Sequence, residues 1–356
     1  MDLRDTLERT ATTSGLAGFG VCSADPFPEV ADDLQERVVS GKSAGMHFTF
    51  GDPARSTDIR SSFPWAERLV VGALGYLPKA GTPGPSHGGS GRIARFATED
   101  HYVGLRSALQ RIAAELTGQG HRAEVLVDDN RLVDRAAAVR AGVGWWGKNS
   151  MVLAPGAGPW LLLGSVATDA TLNVSEPMTR DCGTCSACLP ACPTGALVAP
   201  GVLDASRCLA YWAQAPGPVP IEFRAAMGDR FYGCDDCLDA CPPGSRAIEA
   251  ATDVMGRVDL VEVLSDDDES LLERFAHFYI PRRDPTYLRR NALIALGNSG
   301  GEDDVNSVIA YLDHPEWLLR AHAAWAAAQL GGPFVENALE RARLAESDPR
   351  VLAELG

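Results

Sequence analysis

The sequence predicts an α+β chain: an α/β layer domain, a cysteine-rich middle and a C-terminal run of helical repeats. Three observations predict this. Strand-like apolar runs alternate with amphipathic helix patterns up to about residue 175. Eight of the nine cysteines fall between residues 182 and 241. From about residue 282 the chain turns alanine- and leucine-rich, with two similar phrases that each end in glycine.

Composition bounds the possibilities. With 356 residues, 46% hydrophobic and 22% charged, the chain is long enough for two or three domains. No apolar run approaches the roughly 20 residues that span a bilayer, so no membrane segment is expected. The start, "MDLRDTLERTATTSG", has no apolar signal core, and a cytoplasmic monomer is expected. A net charge of −15 argues against coating nucleic acid by bulk electrostatics, while allowing a local basic patch.

The elements follow in order. "DLRDTLERTATTSGL" reads as a helix, "GFGVCSA" as a short strand and "ERLVVGALGYL" as a buried strand. "GTPGPSHGGSGR" (81–92) is too rich in glycine and proline for either and is expected to be a mobile loop. "HYVGLRSALQRIAAELTGQG" is an amphipathic helix with a glycine stop. "RAEVLVDD" is a strand, "RLVDRAAAVRAG" a helix, and "WLLLGSVATDATL" a strand again. "RRNALIALGNSG" and "RAHAAWAAAQLGG" begin 31 residues apart and suggest paired helical-hairpin repeats. The expected division is 1–175, 176–250, an acidic linker at 251–281 and repeats at 282–356.

The cysteines carry the most specific signal. Cys182-x2-Cys185-x2-Cys188-x3-Cys192-Pro193 is a bacterial ferredoxin run, whose fourth cysteine ligates the other of two clusters. Two-residue gaps wrap a short loop around one cube; the wider gap and proline turn the fourth thiolate towards a second cube. Cys234-x2-Cys237-x3-Cys241-Pro242 repeats the ending one cysteine short, and Cys208 supplies the missing ligand. Two [4Fe–4S] clusters are therefore expected. One takes Cys182, Cys185, Cys188 and Cys241; the other takes Cys192, Cys208, Cys234 and Cys237. Two zinc sites are the alternative. Cys22, within a strand, reads as a small buried hydrophobe. Clusters conduct electrons without transforming a substrate, so a further cofactor and an external low-potential electron donor are implied.

Other motifs fail. Gly142-x-Gly144-x-x-Gly147 follows a helix and carries two tryptophans where a pyrophosphate would approach, so it is not a dinucleotide fingerprint. "SGKSAG" lacks the upstream glycine of a phosphate loop, and no Asp-x-His-x-x-Gly cobalamin signature is present.

The phrase "VDDNRLVDRAAAVRAGVGWWGKNSMVL", then "LLLGSVATD", "CGTCSACLPACPTGAL", "RCLAYW" and "GDRFYGCDDCLDACP", resembles the epoxyqueuosine reductase family. The resemblance runs from about Gly45 to the repeats. It implies a cobalamin-binding α/β domain, a ferredoxin-like double-cluster domain and HEAT-like repeats. It also implies reduction of the epoxide of epoxyqueuosine in tRNA, with cobalamin bound base-off and fed by the two clusters. On this resemblance Asp128 is the proton donor near cobalt, with Asp129 as its neighbouring alternative. Read alone, Asp128 is equally a turn residue or helix cap before "RLVDR". Gly144, Gly147, Lys148, Asn149 and Gly164 are implied to line the corrin, although the same residues also suit a tight turn.

Departures fall near the expected substrate face. Arg131 stands where the family has proline, Asp134 where it has glutamate, and "DHYVGL" inverts the usual tyrosine–histidine order. "CPPGS" and "HFYIPRRDPTYLRRN" also depart. Arg282, Arg283, Arg289, Arg290 and Arg320 cluster at the repeats and are the expected tRNA phosphate contacts, against ordinary capping arginines. Two further readings stay open: a reductive dehalogenase-like enzyme acting on a small electrophile, and a non-catalytic electron-transfer protein.

Overall fold

The computed structural model describes residues 2–77, 88–251 and 256–356. The chain forms two compact units, each drawing on segments distant in sequence. One comprises Met1–Lys79, Asp100–Ser206 and Asp236–Asp253; the other comprises Ala80–Glu99, Arg207–Asp235 and Val254–Gly356.

The first unit is built on a four-stranded antiparallel sheet. Its order is Gly18–Ser23, Arg68–Gly75, Leu161–Thr168, Ala123–Val127. All four strands lie where the apolar runs predict them. Leu69, Val71, Ala73 and Ala167 turn one face towards Ala136, Ala137 and Ala138 of the helix Asp134–Arg140. The other face lies under the helix His101–Gly118, whose Leu105, Leu109, Ile112 and Leu116 are buried. Gly72 and Gly164 are cross-strand partners there. A Cβ on Gly164 would sit 2.7 Å from Leu109 Cδ1, and one on Gly72 3.0 Å from Leu109 Cδ2. The two glycines make a hole and Leu109 is its knob.

The second unit holds the repeats. The helices Thr286–Ser299 and Trp317–Leu330 are buried almost all round, as alanine-rich helices packed on both sides should be. Gly297 lets them approach, since a Cβ there would meet Ala326 Cα at 2.8 Å.

Two expectations are corrected. Residues 81–87 of the expected loop lie outside the described residues, but Ser90–Ile93 is a strand. It pairs with Gly256–Asp259 and with Arg230–Tyr232. Gly91 permits this because a side chain there would press on Leu260 and Phe231. The acidic linker is packed structure in its described part. Leu260–Ser265 and Asp268–Arg274 are helices, with Leu260, Val263, Leu264, Leu271 and Phe275 in the core. Its aspartates are caps: Asp259 accepts from the Val261 and Glu262 amides, and Asp267 from that of Ser270.

Candidate functional site

The strand Ala123–Val127 delivers the chain to Asp128, which lies just beyond it with φ +52°, a left-handed conformation that aspartate tolerates. Asp128 is thus on a turn and not on the strand itself. Burial raises the pKa of its carboxyl, the positive charge of Arg106 opposes this, and Asp129 adds to it. Asp129 is pulled the opposite way. Its carboxylate accepts a fork from Arg131 at 2.9 and 2.5 Å, which holds it below the usual carboxylate range. The two adjacent acids are therefore chemically distinct: Asp129 is fixed as an anion and Asp128 is biased towards the acid form.

Two further groups, Tyr102 and Asp134, feel the charge of Asp128. Tyr102, in the first turn of the helix His101–Gly118, has its hydroxyl pushed up to about 12 by burial and then by the charges of Asp128 and Asp134. Asp134 is enclosed by protein, and burial together with the charges of Asp128 and Asp129 raises it well above an ordinary carboxyl. Its Oδ1 has no hydrogen-bond partner among the described residues. Arg135 is exposed, and Asp134, Arg37, Tyr102 and Tyr76 act on its charge. An open cavity of about 270 Å³ lies along the same helix, lined by Asp100, Tyr102, Val103, Arg106, Ser107 and Gln110. Arg106 also reaches the Val127 carbonyl at 3.5 Å.

The cysteines form a second locality. The charges of Cys182, Cys188 and Cys185 all act on Cys241, and burial raises both Cys188 and Cys241. Four thiols crowded in this way suit a cationic iron cluster that would neutralise them. Cys192 goes down: burial opposes, but backbone N–H groups of Leu197, Thr194 and Ala196 outweigh it, that of Ala196 at 3.1 Å from the sulfur. Cys22 is buried, its thiol pushed up to about 12, and it behaves as the small hydrophobe expected.

The glycine loop packs closely against its own chain. Gly144 faces the Leu153 carbonyl and Val152 across the hairpin of Trp145–Trp146 with Val152–Leu153, and Gly147 is hemmed in by Leu153 and Asn149. Both positions require glycine because the hairpin is tight, whatever else approaches its backbone. Gly164 belongs to the Leu109 hole described above. Lys148 Nζ donates to the carbonyls of Gly183 and Cys185 at 2.7 and 2.8 Å. Buried Asn149 donates to the Cys237 carbonyl at 3.5 Å and accepts from the Met151 amide. These two side chains hold cysteine loops.

The arginines expected on phosphates are also mostly committed. Arg290 is fully buried and donates to the carbonyls of Ala215, Gly217 and Trp212 and to Asn291 Oδ1. Arg289 pairs with Asp268 at 2.5 Å, and Arg320 with Glu346 at 2.6 Å. Arg283 donates to the Leu272 and Ala276 carbonyls. Only exposed Arg282 shows no such bond among the described residues. Buried donors must be satisfied, and backbone carbonyls are the acceptors nearest to hand.

Sequence reasoning placed Asp134 and the "DHYVGL" segment of Tyr102 near the substrate face but did not single out Arg106 or Arg135. The signal was present: Asp134 and Arg135 follow Asp128 within one loop and one helical turn, and "DHYVGLRS" opens the helix beside it.

The family of 4Fe-4S double cluster binding domains matches residues 181–244, and HEAT repeats match 280–355. The epoxyqueuosine reductase of Bacillus cereus is 31% identical over 96% of this chain and 93% of its own length. That of Xanthomonas campestris is 33% identical over 93% and 98%. A crystal structure of epoxyqueuosine reductase with an epoxyqueuosine-modified tRNA-Tyr stem loop superimposes with TM-score 0.89 at 29% identity, covering 99% of this chain and 96% of that one. The Streptococcus thermophilus enzyme gives 0.90 at 25% identity, covering 100% and 98%. With its double-cluster domain, its repeats and relatives matched almost end to end, this chain belongs to the epoxyqueuosine reductase family.

Proposed function

We propose that this chain reduces the epoxide of epoxyqueuosine in tRNA to the alkene of queuosine. Family membership over nearly the whole length supports this, as does the likeness to a neighbour bound to a modified stem loop. The observation that carries it is Asp128, a carboxyl biased towards its acid form beside an anionic twin. Neither the small-electrophile reading nor the electron-carrier reading gains a specific observation.

The overall change takes up two electrons and two protons: the epoxide oxygen leaves as water and a carbon–carbon double bond forms. Two carboxyls that burial keeps towards the acid form, Asp128 and Asp134, stand in one site. Asp128 delivers a proton to the departing oxygen as its bond to carbon breaks. Arg106 moderates how firmly Asp128 holds that proton, and Tyr102 shields the pair from water.

Cys182, Cys185, Cys188 and Cys241 are proposed to hold one [4Fe–4S] cluster, and Cys192, Cys208, Cys234 and Cys237 the other. A base-off cobalamin with no protein histidine on cobalt is proposed beside Asp128. The unsatisfied Asp134 Oδ1, with Arg135 exposed next to it in sequence, fits a group with amide-bearing edges. When bound, cobalamin supplies an electron-rich centre for the two-electron reduction, replenished through the clusters by an external low-potential donor.

The test is direct. Protein reconstituted anaerobically with iron, sulfide and cobalamin receives a low-potential reductant and tRNA carrying epoxyqueuosine. Nucleoside mass analysis should show loss of one oxygen atom per modified base. Fully loaded protein that leaves epoxyqueuosine unchanged refutes the proposal.

A further inference from the structure

The loop that the family resemblance places at a corrin also clasps the first cysteine loop. Lys148 places its ammonium on the carbonyls of Gly183 and Cys185. Trp145 is buried against Leu153, Cys241 and Met178, and Arg180 lies over its ring at 5.2 Å. Its indole N–H is buried with no acceptor among the described residues. Buried donors without a partner are rare and mark a missing acceptor. Tryptophan donates only, so the missing partner must accept, as a cluster sulfide or cysteinyl sulfur does.

We infer that Trp145 and Lys148 set the reduction potential of the cluster proposed above for Cys182, Cys185, Cys188 and Cys241, the indole by donating to one of its sulfurs and the ammonium by placing positive charge against its loop. The inference rests on that ligand assignment but not on the identity of the substrate. Taking up one electron makes a cluster more negative, so N–H donors and nearby cations stabilise the reduced form. Both residues therefore raise this cluster's potential and decide which of the two clusters fills first. Asp181 is exposed, so solvent screens its opposing charge. Phenylalanine in place of Trp145 would keep the ring packed on Cys241 and remove only the donor.

The experiment is an anaerobic redox titration of cluster-loaded protein followed by electron paramagnetic resonance, with cluster identity fixed by the signal lost in Cys241→Ala. Trp145→Phe and Lys148→Met should each shift that cluster's midpoint to more negative potential at unchanged iron content. The other cluster should stay in place, and Lys148→Arg should remain near wild type. Unmoved midpoints at full iron content would overturn the tuning role. So would equal shifts of both clusters, or loss of iron from Trp145→Phe, which would make the indole a support for the loop. A shift confined to a signal that survives Cys241→Ala would overturn it through the ligand assignment.

Discussion

Replacing Arg290 by methionine separates a structural arginine from a phosphate contact. The side chain fills similar volume but removes every donor. Four acceptors then lose a partner: the carbonyls of Ala215, Gly217 and Trp212, and Asn291 Oδ1. At about 1 kcal/mol each, the low end for a buried unsatisfied group, the loss is about 4 kcal/mol. Arg290 is itself strained by burial, its pKa pulled down to about 9, so removing the buried charge returns part of this. The net expectation is about 2–4 kcal/mol, or a melting temperature lower by roughly 4–10 °C. Asn291 still donates to the Ala213 and Phe231 carbonyls and should keep the two segments from separating entirely. The assay is thermal unfolding of the cluster-loaded protein, paired with tRNA stem-loop affinity measured well below the transition. A phosphate contact would behave in reverse, with weaker binding, a shallower salt dependence and unchanged melting. An Arg290→Met protein with wild-type melting and weakened tRNA binding would refute the structural reading.

Asp128→Asn should retain both clusters and lower turnover by about 10² to 10⁴, whereas Asp129→Asn should cost far less; equal losses in steady-state assays would deny Asp128 its role. Because Asp128 acts as an acid, activity should fall as pH rises through its raised pKa. Arg106→Ala, which removes the charge holding that pKa down, should move the falling limb to higher pH. Gly164→Ala should destabilise by about 1–3 kcal/mol through its collision with Leu109, with bound cobalamin per folded chain unchanged. Iron analysis after anaerobic reconstitution should give about eight irons per chain, with Cys241→Ala damaging one cluster and Cys208→Ala the other; full iron in Cys208→Ala would remove it as a ligand.

The features legible in the sequence are those whose physics is local. Cysteine spacing constrains a short loop around a metal, so 182–241 could be read from the chain alone. Short apolar runs marked the four strands of the first unit's main sheet, and the recurrence of arginine, alanine and glycine marked the repeats. The fates of Arg289, Arg290 and Arg320 were not legible, because an arginine phrase looks the same whether its partner is a phosphate or a carbonyl some 75 positions away. The bonds of Lys148 were hidden for the same reason: its acceptors, Gly183 and Cys185, lie 35 and 37 residues along the chain. Glycine is ambiguous in a further way. Gly144, Gly147 and Gly164 all report close approach, but sequence does not say whether a cofactor, a hairpin or a leucine approaches. The acidic stretch after residue 256 read as a linker because the run Asp266–Glu269 stands out, while the core residues on either side of it are spaced among polar ones.

Leu109 in the hole formed by Gly72 and Gly164 has a consequence for the acid. Its two methyl groups are held by two different strands, so the helix His101–Gly118 can neither slide along the sheet nor roll on it without lifting out. Arg106 lies one turn before Leu109 and Tyr102 two turns before it, on the same rigid rod. The end of the neighbouring strand Ala123–Val127 is where Asp128 begins. A purely apolar contact thus acts as the datum from which the electrostatics of Asp128 are measured. Paring Leu109 down to valine would leave every charged group in the sequence, yet would loosen the spacing between the arginine and the carboxyl whose proton it governs.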